Sequence, residues 1–100
     1  AALPAGAIHV NEGARAALVS GKASLLPAGV TRLEGEFAKG DVVRILGSDG
    51  AVFARGQVNY GRADAELLVG RRSGEVRGAP KGYDALVTRN NVVLGDGEGA

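Results

Sequence analysis

Asp41-Val42-Val43-Arg44-Ile45-Leu46-Gly47-Ser48-Asp49-Gly50-Ala51-Val52-Phe53-Ala54-Arg55-Gly56-Gln57-Val58 is the stretch that decides the fold. Residues 41–46 and 51–58 read as strands, and the separator ending in Asp49-Gly50 is a hairpin signal. Val43 and Ile45 share one face, while Val42, Arg44 and Leu46 share the other. Ala54 and Gly56 are small and of the same parity, as a sheet curving onto itself requires. Before the hairpin, residues 30–34 read as a further strand in which Val30 and Leu33 break parity, so we expect bulges or burial on both sides.

Further out, residues 7–10 form a short apolar strand. Asn11 is placed to cap a helix over 12–20, with Ala14, Ala17 and Leu18 as its buried stripe and Gly21 at its left-handed terminus. Gly13 in the first turn predicts a close approach to the backbone there. Leu25 and Leu26 should lie against the core, as should Phe37 and Phe53. A second helix is expected over 64–69, ending at Gly70, with another helical turn near Ser73 and Glu75-Val76. A last strand over 85–88 and 92–94 is expected to be interrupted by Arg89-Asn90-Asn91. The order predicts a mainly β domain with helical covers rather than alternating parallel units.

Composition bounds the rest. The chain has 100 residues, 45% hydrophobic, with 17 glycines, four aromatic residues and no tryptophan, which suits one small domain with a core of Val, Leu, Ile and Ala. The absence of cysteine excludes disulfides, a zinc knuckle and a thiol nucleophile, and is compatible with a reducing cytosol. One histidine, His9, cannot build a multi-histidine metal site. The chain holds no methionine, and we expect it to be a domain of a longer protein, with residues 1–6 a linker, 7–94 the folded domain and 95–100 a disordered tail. No apolar run approaches the roughly 20 residues of a membrane span, so no membrane partner is expected.

Twelve basic and eleven acidic residues leave a net charge of +1, without the basic excess usual in phosphate-binding proteins. Distribution matters more. Arg71, Arg72, Arg77 and Lys81 face only Glu75, a local excess of three, and Arg15, Lys22 and Arg32 form a second basic group. Either suits phosphate contacts, and either suits an ordinary solvated surface. Tyr60 and Tyr83 are too far apart in sequence to suggest a stacking platform.

Enzymatic signals are weak. Gly95-Asp96-Gly97-Glu98-Gly99 lacks the helix, lysine and hydroxyl of a phosphate loop. Glu34 and Glu36 share parity but stand beside a turn, where solvated carboxylates are expected. His9 points opposite to Ile8 and Val10, and no nucleophile motif accompanies it. A hydrolase using His9 is one reading; a structural histidine is the plainer one. We expect the chain itself to be no enzyme, with no catalytic residue, no metal ligand and no cofactor.

Several strings are similar to a known family. Val10-Asn11-Glu12-Gly13-Ala14-Arg15-Ala16-Ala17-Leu18, Ser24-Leu25-Leu26-Pro27-Ala28-Gly29-Val30, Glu34-Gly35-Glu36-Phe37 and Gly40-Asp41-Val42-Val43 resemble the C-terminal PUA domain of bacterial glutamate 5-kinases. Ala54-Arg55-Gly56, Asn59-Tyr60, Gly70, Ser73, Glu75-Val76, Gly82-Tyr83 and Val87-Thr88-Arg89-Asn90-Asn91-Val92-Val93 continue the pattern in order. Asn11 and Asn90 stand where the pattern has acidic residues.

The resemblance implies a PUA-like pseudo-barrel of about six strands with two short covering helices. It also implies an architectural or regulatory accessory domain in proline biosynthesis. The parent would be a cytoplasmic homo-oligomer whose N-terminal amino-acid-kinase domain phosphorylates L-glutamate with ATP and magnesium. RNA-modifying relatives imply an RNA-facing surface at Arg15, Gly21, Lys22, Ser24, Arg32 and Arg89. An RNA-binding module of an RNA-modifying or translation-related protein is the alternative.

Overall fold

A computed structural model describes residues 6–21, 23–69 and 85–95. The expected turn near Ser73, the Arg71–Lys81 cluster, Lys22, Gly70, Tyr83, and most of the linker and tail lie outside them.

The chain runs β1 (Gly6–Val10), α1 (Glu12–Val19), a 3-10 turn (Pro27–Gly29), β2 (Val30–Gly35), β3 (Val42–Leu46), β4 (Val52–Val58), α2 (Arg62–Leu68) and β5 (Val87–Leu94). The five strands form one sheet in the order β2-β1-β3-β4-β5. Only β1 and β3 are parallel; the other neighbours are antiparallel. Strand β1 begins at Gly6, one residue earlier than expected.

The hairpin forms as its sequence requires. Gly50 takes φ +81° and donates its N–H to Gly47 O at 3.0 Å, while Asp49 Oδ1 accepts from Ala51 N at 3.0 Å. Along β3, Val43 and Ile45 are wholly buried and Val42 and Arg44 exposed. They join Ile8, Val10, Val30, Leu33, Ala54, Val58 and Val87 from the other strands in the core. Burying each large aliphatic side chain there contributes about 1.5–3 kcal/mol.

Register shifts interrupt three pairings: between His9 and Val10, between Ile45 and Leu46, and between Gly56 and Val58. The first pairs Val10 with Val30 and accounts for the parity break in β2. Each shift adds local twist and bends the sheet. The edges β2 and β5 are not paired with each other. They are linked by chain instead: Leu25 bridges Val87, and five residues later the same segment enters β2 at Val30. This bridge is what the sixth strand amounts to among the described residues.

Several local expectations change. The last strand is continuous through Arg89-Asn90-Asn91, because those residues are exposed and the offset against β4 is taken up by the Gly56/Val58 shift. Leu26 is 51% exposed although Leu25 beside it is 1% exposed, since an extended residue turns its neighbour to the opposite face. Phe53 is half-buried against the core. The close approach expected at Gly13 occurs at Gly29, where a Cβ would stand 2.7 Å from Ala14 Cβ. Helix α2 starts at Arg62, two residues early, with Arg62 bonded to Glu66 at 2.7 Å and to Gly35 O at 2.5 Å.

Candidate nucleic-acid interface

Helix α1 begins where Asn11 Oδ1 accepts from Ala14 N at 2.8 Å, satisfying an otherwise orphaned donor. It ends at Gly21, whose φ of +74° belongs to the left-handed region and whose N–H donates to Leu18 O at 3.0 Å. That turn carries the chain back along β5. Leu25 N donates to Val87 O at 2.9 Å, and Leu86 N donates to Leu25 O at 2.7 Å. One step further out, Ser24 Oγ accepts from Arg89 N at 2.8 Å.

These bonds bring Gly21, Ser24 and Arg89 together. The space between the helix end and β5 is a cleft of about 310 Å³ lined by Leu18, Gly21, Ala23, Arg89, Asn90 and Val92, with Leu94 at one side. Arg89 and Asn90 are exposed, and Arg89 makes no ion pair among the described residues. An open cleft lined by a glycine-bearing turn and by an arginine without an ion pair among the described residues can take an oxyanion such as a phosphate.

The other expected residues are engaged elsewhere. Arg15 lies with its guanidinium 5.2 Å from the centre of the Phe53 ring and 3.5 Å from Asp49 Oδ2, so it braces α1 against the β3–β4 turn. Ser48 Oγ, in the same turn, donates to Glu12 Oε1 at 2.5 Å.

Arg32 stands opposite His9 across β1 and β2. His9 Nε2 lies 2.5 Å from Glu34 Oε1 and 3.1 Å from Arg32 Nη2, and Arg32 also pairs with Glu34. When protonated, Nε2 donates to Glu34; otherwise it accepts from Arg32. The ring nitrogen therefore faces a carboxylate and a guanidinium and forms no nucleophile–base pair there. His9, Arg32 and Asp49 line a shallow depression of about 540 Å³ with Thr31 and Ser48.

The carboxylates respond to this setting. The bonds from His9 and then Arg32 hold Glu34 below its ordinary range. The Ala51 N–H, with Arg15 adding its charge, does the same for Asp49. Glu34 is thus paired, not simply solvated as its place near a turn suggested. The His9–Glu34–Arg32 cluster was not legible in sequence, because it depends on strand register. Among the described residues no group of three or more His, Asp or Glu side chains converges as a metal site would require.

A curled sheet with bulged strands, a helix ending on glycine and a cleft beside the last strand together define a small β-barrel-like domain. The PUA-domain family profile matches residues 6–79, and the chain belongs to that family. It is 44% identical over 94 residues to the glutamate 5-kinase of Geobacter sulfurreducens, covering 91% of this chain and 25% of that one. With the glutamate 5-kinase of Rhizobium leguminosarum bv. trifolii the identity is 47% over 94 residues, covering 91% and 24%. The chain thus spans about a quarter of the length of the curated relatives it matches.

Among solved structures, a PUA domain from Aeropyrum pernix K1, crystallised as a tartrate complex, superposes with a TM-score of 0.59 at 33% identity, over 62% of this chain and 34% of that one. The archaeal box H/ACA sRNP Nop10-Cbf5 complex contains a chain with the same fold, at a TM-score of 0.56 and 24% identity, over 85% and 25%.

Proposed function

We propose that this chain is the accessory domain at the C-terminal end of a glutamate 5-kinase, and that it contacts RNA through the cleft of Gly21 and Arg89, with Ser24 tying its loop to β5. The observation that carries the first part is the near-complete coverage of the chain by a quarter of each kinase relative. In this reading glutamate phosphorylation belongs to the preceding amino-acid-kinase domain of a cytoplasmic homo-oligomer, which uses ATP and magnesium. The residues described here do not fit the metal, since they hold no converging carboxylate cluster. The role of this domain is architectural or regulatory.

The cleft supports the RNA part because Arg89 is exposed and makes no ion pair among the described residues. Arg15 and Arg32 have carboxylate partners, so they contribute less free charge than their number suggests. Two measurements test the proposal. The purified chain should show no glutamate-dependent ATP turnover, and detectable turnover would overturn the accessory assignment. Its affinity for a structured RNA should fall with salt; binding no tighter than non-specific contacts, on the order of 10⁻⁴ to 10⁻⁶ M at physiological salt, would remove RNA as a ligand.

A further inference from the structure

On the face of the sheet turned away from the core, Arg44 of β3 stands directly opposite Arg55 of β4. Register extends this pair into a row across the sheet: Val93 faces Arg55 on one side, and Ala7 faces Arg44 on the other. Along the strands, Val42 flanks Arg44 and Gln57 flanks Arg55, and those two also face each other. None of these neighbours carries a charge. Glu34, the next residue of the row beyond Ala7, is taken by His9 and Arg32. Neither Arg44 nor Arg55 has a carboxylate partner among the described residues.

Like charges directly opposite on antiparallel strands oppose folding. The fold therefore gains nothing from this pair, and a partner outside the described residues is the natural source of its compensation. The surroundings indicate which kind. Val42 is 44% exposed and Val93 57% exposed, so the guanidiniums sit among exposed aliphatic side chains, and the one ring on this side of β4, Phe53, is half-buried and already holds the guanidinium of Arg15. Arginine with exposed apolar side chains is the composition of a protein interface, whereas single-stranded nucleic acid is held by basic grooves interleaved with aromatics.

The path of the chain narrows the choice further. Strand β1 carries the chain into the domain, and its Ala7 is the residue in register with Arg44. A domain joined to the segment ahead of Gly6 is therefore tethered to the strand that neighbours Arg44 in the sheet. Such a tether raises the effective concentration of that domain at this face to about the millimolar range. About three quarters of each kinase relative lies outside the match, which covers 25% of the first.

We propose that the Arg44–Arg55 face docks onto paired carboxylates on the surface of the domain that precedes this one in the longer chain. The inference rests on the reading of this chain as part of a glutamate 5-kinase and names the contact between the two domains.

The test uses the longer chain and the substitution Arg44→Glu, which turns the like-charge pair into an opposite-charge pair and so preserves the sheet. Small-angle scattering should show a larger radius of gyration for the variant, and cleavage of the alanine-rich segment ahead of Gly6 by elastase should quicken about tenfold, the loss of roughly one charge-assisted contact. Affinity for structured RNA should be unchanged. In the 100-residue chain alone the variant should melt no lower than the parent. Arg55→Gln should loosen the docking in the same direction. An unchanged scattering profile and cleavage rate overturn the docking. Loss of RNA affinity shows that the pair binds phosphate and overturns it too, and a lower melting temperature shows that the pair serves the fold. A gene with no amino-acid-kinase segment upstream overturns both this inference and the reading it rests on, whereas the other outcomes leave that reading intact.

Discussion

Val87 Cγ1 lies 2.6 Å from where a Cβ on Gly56 would stand, so β4 and β5 meet at a point where only a hydrogen fits. Asn91 O and Ile45 Cδ1, at 3.3 and 3.4 Å from the same point, leave no direction in which an added methyl can move. The contact lies at the Gly56/Val58 register shift.

Gly56→Ala should accordingly cost about 1–3 kcal/mol through overpacking, read as a fall in the melting temperature. Combining it with Val87→Ala should cost less than the sum of the two single changes, because the smaller residue at 87 makes room for the new methyl. Simple additivity would show that the strain lies elsewhere.

The start of α1 gives a second expectation. Asn11→Ala removes the acceptor of the Ala14 N–H and should destabilise the domain by about 1 kcal/mol. Asn11→Asp keeps the acceptor and adds a negative charge at the positive end of the helix, so it should be neutral or slightly stabilising. Chemical denaturation of the three proteins compares them directly.

Acid should weaken the two ion-paired corners of the domain. Glu34 and Asp49 have folded-state values below their ordinary 4.5 and 3.8, so their contribution is complete above those values and is lost as the pH falls through the depressed ones. Glu34→Gln and Asp49→Asn should therefore melt below the parent at neutral pH and converge with it in strong acid. A gap that persists unchanged at low pH would show that the carboxylate charge is not what stabilises.

For the cleft, Arg89→Ala should weaken RNA binding about tenfold, or roughly 1.4 kcal/mol, and lower the salt dependence by about one ion. Ser24→Ala should act differently, loosening the loop from β5 by about 1 kcal/mol of stability through loss of its bond to the Arg89 N–H. Arg15→Ala should leave RNA binding nearly unchanged while lowering stability, since its guanidinium is spent on Phe53 and Asp49.

Much of the scaffold was legible before any coordinates. Apolar alternation at Val43 and Ile45, the Asp49-Gly50 turn, the Asn11 cap and the Gly21 stop are local signals, set by backbone geometry within a few residues. The broken parity of Val30 and Leu33 foretold a bulge, although not that His9 and Val10 would accommodate it. The interruption expected at Arg89-Asn90-Asn91 failed for a related reason. Polar residues suggest a loop, yet a strand with one solvated face carries them readily.

Of the six residues expected on one surface, sequence order alone could not say that Gly21 and Arg89 line one cleft, with Ser24 bonded to the Arg89 backbone, while Arg15 and Arg32 turn to Asp49 and Glu34. Nor could it place Arg44 beside Arg55. By itself the sequence determined where most of the strands and helices form, most of the side chains that face the core and which family the chain resembles. The tertiary structure alone decided which charges neutralise one another and which remain available, because ion pairing depends on register between strands remote in sequence, and a shift of one residue reverses every face.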